Sequence, residues 1–85
     1  MNATQLGRHH YQEWVKRCKR EDQRYFRDIA RGFFLEATCF IPWDGYDGRV
    51  NCKHVLTGEE VNVCYTILRP LNAMEVLAYA ASAEG

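Results

Sequence analysis

Cysteine and histidine side chains are the residues of this chain whose spacing could support catalysis or metal binding. Cys52 and His54 stand two apart in "RVNCKHVL" and share one face if this segment is a strand, and Cys39 lies in another apolar segment. Such a trio could bind zinc, and a thiol beside an imidazole could act as a nucleophile. The zinc spacings C-x2-4-C and H-x3-5-H do not occur in the sequence. A buried histidine among cysteines that behave as small hydrophobic residues accounts for the pattern better, and zinc stays open as the alternative.

A row of cations is the second candidate site. The stretch "WVKRCKREDQRYFRDIARG", Trp14 to Gly32, contains seven lysine and arginine residues. At 100° per residue, five of them fall on one arc of a helix, opposite its apolar face: Lys16, Arg17, Arg20, Arg24 and Arg27. Such a row could bind an acidic protein or successive phosphates. Glu13, Glu21 and Asp28 lie within or beside the arc at spacings that suit ion pairs, so a merely solvated helix face is the alternative.

The loop "IPWDGYDGR" is the third candidate, because Trp43 and Tyr46 could anchor a partner with few torsions to freeze. Tryptophan is commonly buried, which favours Trp43 folding back over the sheet edge as a lid on the core. Asp44 and Asp47 do not match the spacing of a calcium loop. We predict no metal and no cofactor. The candidate partner-binding residues are Lys16, Arg17, Arg20, Arg24, Arg27, Trp43 and Tyr46.

Catalytic patterns are otherwise absent from the sequence. It contains no Gly-rich phosphate loop, no His-rich metal motif and no obvious pair of convergent carboxylates. Nucleophilic catalysis would need a thiol, an imidazole and an orienting acid to converge at a cleft, whereas Cys52 and His54 are expected to point into the core. The sequence therefore predicts that the protein is not an enzyme.

Length and composition predict one compact domain over residues 1–85. A hydrophobic fraction of 47% with 13% aromatic residues can build a core without metal or disulfides. The formal net charge is zero, which argues against a surface that attracts nucleic acid or anionic lipid everywhere. The charges are unevenly placed, since residues 1–36 hold eight cations against five acids and residues 37–85 hold three against six.

The four cysteines are expected to be reduced. The first residues, "MNATQLGRHH", lack the apolar stretch of a secretory leader. No apolar run approaches the roughly 18–20 residues that a membrane-spanning helix needs. We therefore expect a cytoplasmic protein with no membrane contact.

Helical periodicity would position the cationic row. Thr4 can cap a helix that runs to about Arg20, and a second helical stretch follows from about residue 21 to Ala30. One straight helix of this length would exceed the diameter of so small a globule, so we expect a break near Lys19–Asp22, with Asp22 capping the second segment. The core face would carry Tyr11, Trp14, Val15, Cys18, Tyr25, Phe26, Ile29 and Phe33.

From Phe33 onward the pattern changes to strands. "FFLEATCFI" alternates like a strand, and "RVNCKHVL" and "VNVCYTIL" flank "TGEE". With Gly58–Glu59 as a two-residue turn, Val50 would face Ile67, His54 would face Val63 and Cys52 would face Tyr65. Cys64 would lie on the opposite face from Cys52, which excludes a disulfide between them. The dry side would carry Val50, Cys52, Leu56, Val61, Tyr65 and Ile67.

These elements predict an α+β fold: an N-terminal helix that is kinked or split, a three-stranded antiparallel β-meander and a C-terminal helix, in the order α(α)βββα. Asn72 and Glu75 match a capping box at the start of the last helix. Over about residues 22–83 the order α-β-β-β-α resembles that of double-stranded-RNA-binding domains. The resemblance implies RNA binding by a basic cluster that opens the last helix, where this chain has "RPLNAMEVLA" with a single cation.

The sequence as a whole predicts a small non-catalytic protein that binds another macromolecule through its basic helix face. We expect an inhibitor or modulator of the type that phages and other mobile elements encode, docking on a host protein with an acidic surface. The alternative is a nucleic-acid-binding module that uses the same arginines. A sheet edge, or an outer sheet face bearing Phe34 and Phe40, could support a homodimer.

Overall fold

Two helices pack against a five-stranded antiparallel sheet. The computed structural model describes residues 2–84. The elements in chain order are α1 (Ala3–Arg20), β1 (Tyr25–Asp28), β2 (Phe34–Phe40), β3 (Arg49–His54), β4 (Glu60–Cys64), a 3-10 helix (Tyr65–Ile67), β5 (Leu68–Pro70) and α2 (Ala73–Glu84). The strand order is β4-β3-β2-β1-β5. The α+β class is confirmed, but the predicted three-stranded sheet is wrong by two strands.

Helix α1 begins two residues earlier than expected and ends where the break was expected. Asn2, rather than Thr4, is the N-cap, and it forms a reciprocal capping box with Gln5. After Arg20 the chain leaves the helix, and Asp22 takes a left-handed conformation with φ of 52°. The chain therefore reverses at Asp22 and returns under the helix.

The predicted second helix is wrong, because its central residues form β1. Phe26 and Asp28 are each 1% exposed and Arg27 between them is exposed, which is the period of a strand. Strand β1 pairs with β2 on one side and with β5 on the other. Two ladders of backbone hydrogen bonds and the burial of Phe26 outweigh the helical periodicity of this segment.

Strand β5 also departs from the prediction. The segment "VNVCYTIL" was expected to be one strand, but β4 ends at Cys64 and the 3-10 helix redirects the chain across the sheet. Leu68 then pairs with Asp28 at the opposite end of the sheet order. The predicted element order α-β-β-β-α, on which the resemblance to double-stranded-RNA-binding domains rested, is therefore wrong for this chain.

The β3–β4 hairpin has the predicted faces and a different register. Val50 pairs with Val63 and Cys52 pairs with Val61, four positions from the expected pairing. The shift arises because the connection spans residues 55–59 instead of two residues, with Gly58 at φ of 75°. A shift by an even number keeps every side chain on its face, so Val50 and Cys52 are fully buried as predicted.

The core lies between α1 and the inner face of the sheet. Its buried members are Tyr11, Cys18, Phe26, Leu35, Val50, Cys52, Val63 and Leu68, and Trp14 and Val15 pack against them. Three residues that were expected in the core are instead exposed: Ile29 (50%), Phe33 (40%) and Leu56 (46%). Each lies in or beside a turn between strands, where the alternating pattern ends. All four cysteines are free thiols, and Cys52 and Cys64 do not pair.

Helix α2 packs on the outer face of the sheet. The predicted capping box is present, since Glu75 N–H donates to Asn72 Oδ1 over 2.9 Å and Asn72 N–H donates to Glu75 Oε1 over 3.3 Å. Val76 is buried, and the ring of Tyr79 lies 4.1 Å from that of Phe34 on β2. Neither helix within residues 2–84 has the length and apolar character to span a bilayer.

Candidate binding surface

Tyr11 fixes the β2–β3 loop against α1. Its hydroxyl lies 2.6 Å from the carbonyl oxygen of Ile41 and 2.8 Å from that of Arg49, at the two ends of the loop, and shares its one proton between them. Burial of the ring disfavours the charged phenolate and raises the pKa of Tyr11 to about 12. The hydroxyl therefore stays protonated at physiological pH and holds the loop beside the helix.

A groove of about 430 Å³ lies between α1 and this loop, and we call it the Trp43 groove. Its lining is mostly apolar and comprises Tyr11, Val15, Phe40, Ile41, Pro42 and Trp43, with Gln12, Lys16 and Lys19 on the helix side. Trp43 is partly buried, and the tip of its ring stands 3.3 Å from where a Cβ atom at Gly7 would lie. Trp43 thus folds back onto the helix and packs against the core, as the favoured interpretation of the sequence expected, and it also forms one wall of the groove.

Tyr46 lies in the same loop and is 87% exposed. A carboxylate oxygen of Asp44 accepts hydrogen bonds from Tyr46 N–H at 2.8 Å and from Asp47 N–H at 3.2 Å. Asp47 in turn forms an ion pair of 3.5 Å with Arg49. These contacts form an Asx turn, which presents the Tyr46 ring to solvent from a defined backbone.

The opposite flank of α1 carries a second groove of about 460 Å³, which we call the His9 groove. It is lined by His9, His10, Glu13, Trp14, Arg17, Arg20 and Tyr65. Trp14 contributes little free ring surface, because Phe26, Phe40 and Tyr65 surround it with centroids 5.2–5.7 Å away. The polar groups of this groove are therefore its accessible part.

The structure divides the five cations that were predicted to share one helix face. Lys16 lines the Trp43 groove, where it also lies 3.3 Å from Glu13, and Arg17 and Arg20 line the His9 groove. Arg24 follows α1 and forms an ion pair of 3.0 Å with Asp22. Arg27 lies on β1 between two buried residues, so it points away from α1 on the outer face of the sheet. The single basic helix face is therefore incorrect, because the last two cations are not helical.

The pattern of cations in the sequence did not reveal two members of the Trp43 groove. Lys19 completes the cationic border beside Lys16, one helical turn away, but it fell outside the predicted arc. Pro42 faces the helix from the start of the loop. The only signal for Pro42 was the Pro-Trp pair directly after a strand, which indicates an apolar turn but not what it packs against.

The thiol and imidazole residues do not form a reactive site. Cys52 is fully buried, and burial raises its pKa to about 11, which disfavours the nucleophilic thiolate. The ring of His54 packs edge-on against Phe33 at 4.6 Å. Cys39 is exposed beyond an irregularity in β2, so it does not meet Cys52. No three His, Cys, Asp or Glu side chains come together as metal ligands in the part of the chain that the structure describes.

Comparison of the chain with protein-family models, with curated proteins and with solved structures found no match.

Proposed function

We propose that this chain is a non-catalytic binding protein that docks on an acidic surface of another protein through α1 and the β2–β3 loop. The observation that carries the proposal is the Trp43 groove, an apolar groove whose helix side carries Lys16 and Lys19. In biological terms we propose an inhibitor or modulator of the type that phages and other mobile elements encode, acting on a host protein.

The groove combines the two properties of an anchoring site. An apolar side chain that enters it would exclude water from Trp43, Pro42 and Ile41, and such desolvated pockets commonly contribute most of the affinity of an interface. Lys16 and Lys19 at the border would attract carboxylates around that side chain and so raise the association rate. The partner chemistry that fits is an apolar residue flanked by Asp or Glu.

Tyr46 is the second proposed anchor. The backbone that carries this ring, which is 87% exposed, is already held by an ordered turn, so binding would freeze little beyond the side-chain torsions. Its contribution is expected in the dissociation rate, whereas that of the two lysines is expected in the association rate and its salt dependence.

The second candidate function, nucleic-acid binding, is supported by the His9 groove. Arg17, Arg20 and the two adjacent histidines offer donors for phosphate oxygens along one flank of α1. The faces of Trp14 are covered by other rings, so that bases could not stack on them. This difference favours the protein partner, because the Trp43 groove offers both charge and free apolar surface.

The test begins with affinity capture by the immobilised full chain, and then measures binding of the purified partner. Lys16→Glu with Lys19→Glu is expected to weaken binding by at least about tenfold, mainly through slower association, and to reduce its salt dependence. Arg31→Glu with Arg69→Glu, the same charge change at two exposed positions away from α1, is the matched control and should bind like the wild type. Equal affinity of the groove variant and the wild type would exclude the proposed surface.

Nucleic-acid binding is tested separately by titrating the chain with single-stranded and double-stranded oligonucleotides at two salt concentrations. A phosphate-binding surface would lose affinity steeply between them, and Arg17→Glu with Arg20→Glu would abolish the interaction. Salt-sensitive oligonucleotide binding that is lost in the Arg17/Arg20 variant, together with unchanged protein binding by the Lys16/Lys19 variant, would replace the first proposal by the second.

A further inference from the structure

Arg27 and Arg69 form a cross-strand pair of like charges on the outer face of the sheet. They are direct partners in the β1–β5 ladder, and both side chains are exposed. Their neighbours Asp28 and Leu68, also paired, are buried on the inner face, so the two arginines project together to the other side. Neither one is within 4.0 Å of a carboxylate among the described side chains.

The register brings the two arginines close enough to bind one ligand. Ile29 N–H donates to the carbonyl of Ile67 and Leu71 N–H donates to that of Tyr25, two residues to either side in the same register. Arg27 and Arg69 therefore occupy a hydrogen-bonded position of the ladder, where opposed Cα atoms lie about 5.5 Å apart. Two guanidinium groups on adjacent strands can then converge on a single anion.

The Arg27–Arg69 pair differs from the other cross-strand charge pairs on the outer face of the sheet, which join opposite charges. Lys53 stands between Glu36 and Glu60 on neighbouring strands, and its ammonium nitrogen lies 3.9 Å from a carboxylate oxygen of Glu36. Opposite charges therefore alternate across β2, β3 and β4, whereas Arg27 and Arg69 face each other. Like charges directly opposite on a sheet destabilise it, so a bound anion would remove a cost that the free protein carries.

We infer that Arg27 and Arg69 form a binding site for a phosphate group. A guanidinium presents a planar fork of N–H donors that matches phosphate oxygens, and two forks can divide the oxygens of one dianion between them. The site lies on the opposite side of the sheet from α1 and does not depend on the proposed docking surface.

The test is a titration of the 15N-labelled full chain with inorganic phosphate against chloride at constant ionic strength and mildly alkaline pH, where phosphate is a dianion. Saturable shifts of the Arg27 and Arg69 signals are expected, with a dissociation constant on the order of 1 mM. Arg27→Gln and Arg69→Gln should each weaken binding by about tenfold. Arg8→Gln, the same change at an exposed position of α1, should not alter it. Shifts that do not saturate, or that are equal in all four proteins, would overturn the inference.

Thermal unfolding in two salts distinguishes anion binding from a purely structural role of the arginines. A structural role would give the wild type and the variant the same order of unfolding temperatures in chloride and in phosphate. In chloride, Arg69→Gln should unfold at the wild-type temperature or above it, because the substitution removes a like-charge contact. In phosphate the order should reverse, because the wild type binds the anion more tightly and therefore gains more stability from it than the variant does. The same order in both salts would show that the two arginines do not share an anion.

Discussion

Gly48 lies directly against the ring of Tyr11. A Cβ atom at position 48 would stand 2.6 Å from Cγ of Tyr11 and 2.7 Å from Cδ1 of Tyr65, so the backbone at this point leaves no room for a side chain. Gly48→Ala should therefore lower the free energy of unfolding by about 1–3 kcal/mol, measured by urea denaturation.

The matched control for this substitution is Gly45→Ala. Position 45 has φ of 92° and no atom within 4 Å of the added Cβ, so the change introduces backbone strain without a clash. Gly48→Ala should alter the near-ultraviolet circular dichroism of the aromatic cluster, whereas Gly45→Ala should not. An unchanged aromatic spectrum in both would contradict the close packing at Gly48.

The hydroxyl of Tyr11 gives a second prediction. Tyr11→Phe removes the shared hydrogen bond to the carbonyls of Ile41 and Arg49 and should cost about 1–2 kcal/mol of stability. Tyr46→Phe removes the same atom from an exposed ring and should leave the urea midpoint unchanged. Equal midpoints for the two variants would argue against the anchoring role of Tyr11.

Stability should fall at alkaline pH. Burial raises the pKa of the Cys18 and Cys52 thiols from 9.0 to about 11 and that of Tyr11 from 10.0 to about 12. A raised pKa means that the folded state holds the proton more tightly. Its stabilising contribution is therefore complete below about pH 9 for the thiols, and is lost as the pH rises through 11.

Urea midpoints measured from pH 8 to 12 check this expectation. Each group that titrates only on unfolding should steepen the decline by roughly 1.4 kcal/mol per pH unit within its window. Cys52→Ala should be less stable at neutral pH and show a shallower decline between pH 9 and 11. A midpoint that stays level over this range would contradict the burial of both thiols.

The same burial predicts the order in which thiols react. Cys39 is exposed, Cys64 is partly buried, and Cys18 and Cys52 are buried. A thiol reagent should modify Cys39 first and Cys64 more slowly, and should reach the other two only after denaturation. Cys39→Ser should remove the fast phase, and mass spectrometry of the modified peptides identifies each site.

Asp28 gives a final prediction, because it is 1% exposed and closes the β1–β2 turn. One carboxylate oxygen accepts hydrogen bonds from Ala30 N–H at 2.8 Å and from Arg31 N–H at 3.1 Å. Asp28→Ala should lower the free energy of unfolding by about 1–3 kcal/mol, and Asp28→Asn by less, because its amide oxygen can still accept. Asp47→Ala, which breaks a surface ion pair, should cost less than about 1 kcal/mol.

Local patterns in the sequence predicted those parts of the fold that depend on neighbouring residues. The capping box of Asn72 and Glu75 and the faces of β3 follow from spacing within a few residues, and both are confirmed. The identity of β1 could not be predicted in this way. Tyr25 to Asp28 fit a helix as well as a strand, and the choice depends on β2 and β5, which pair with them from distant parts of the chain.

The candidate site was predictable only as a set of residue types. Lys16 and Trp43 were identified from charge and from loop composition, but their common groove depends on the hydroxyl of Tyr11 and on the turn after Pro42. The prediction of a single cationic helix face was wrong for a related reason. Its periodicity assumed a helix beyond Asp22, where the backbone instead reverses with a positive φ.

Helix α1 precedes every strand that it covers, and this order affects how the chain is synthesised. The carbonyl groups that accept hydrogen bonds from the Tyr11 hydroxyl lie 30 and 38 residues further along the chain. At about 5–20 residues per second, the ribosome delivers them roughly 2–8 s after Tyr11 itself. During that interval the apolar side of the nascent helix, which carries Tyr11, Trp14 and Cys18, has no sheet to cover it and would be open to a chaperone at the exit tunnel.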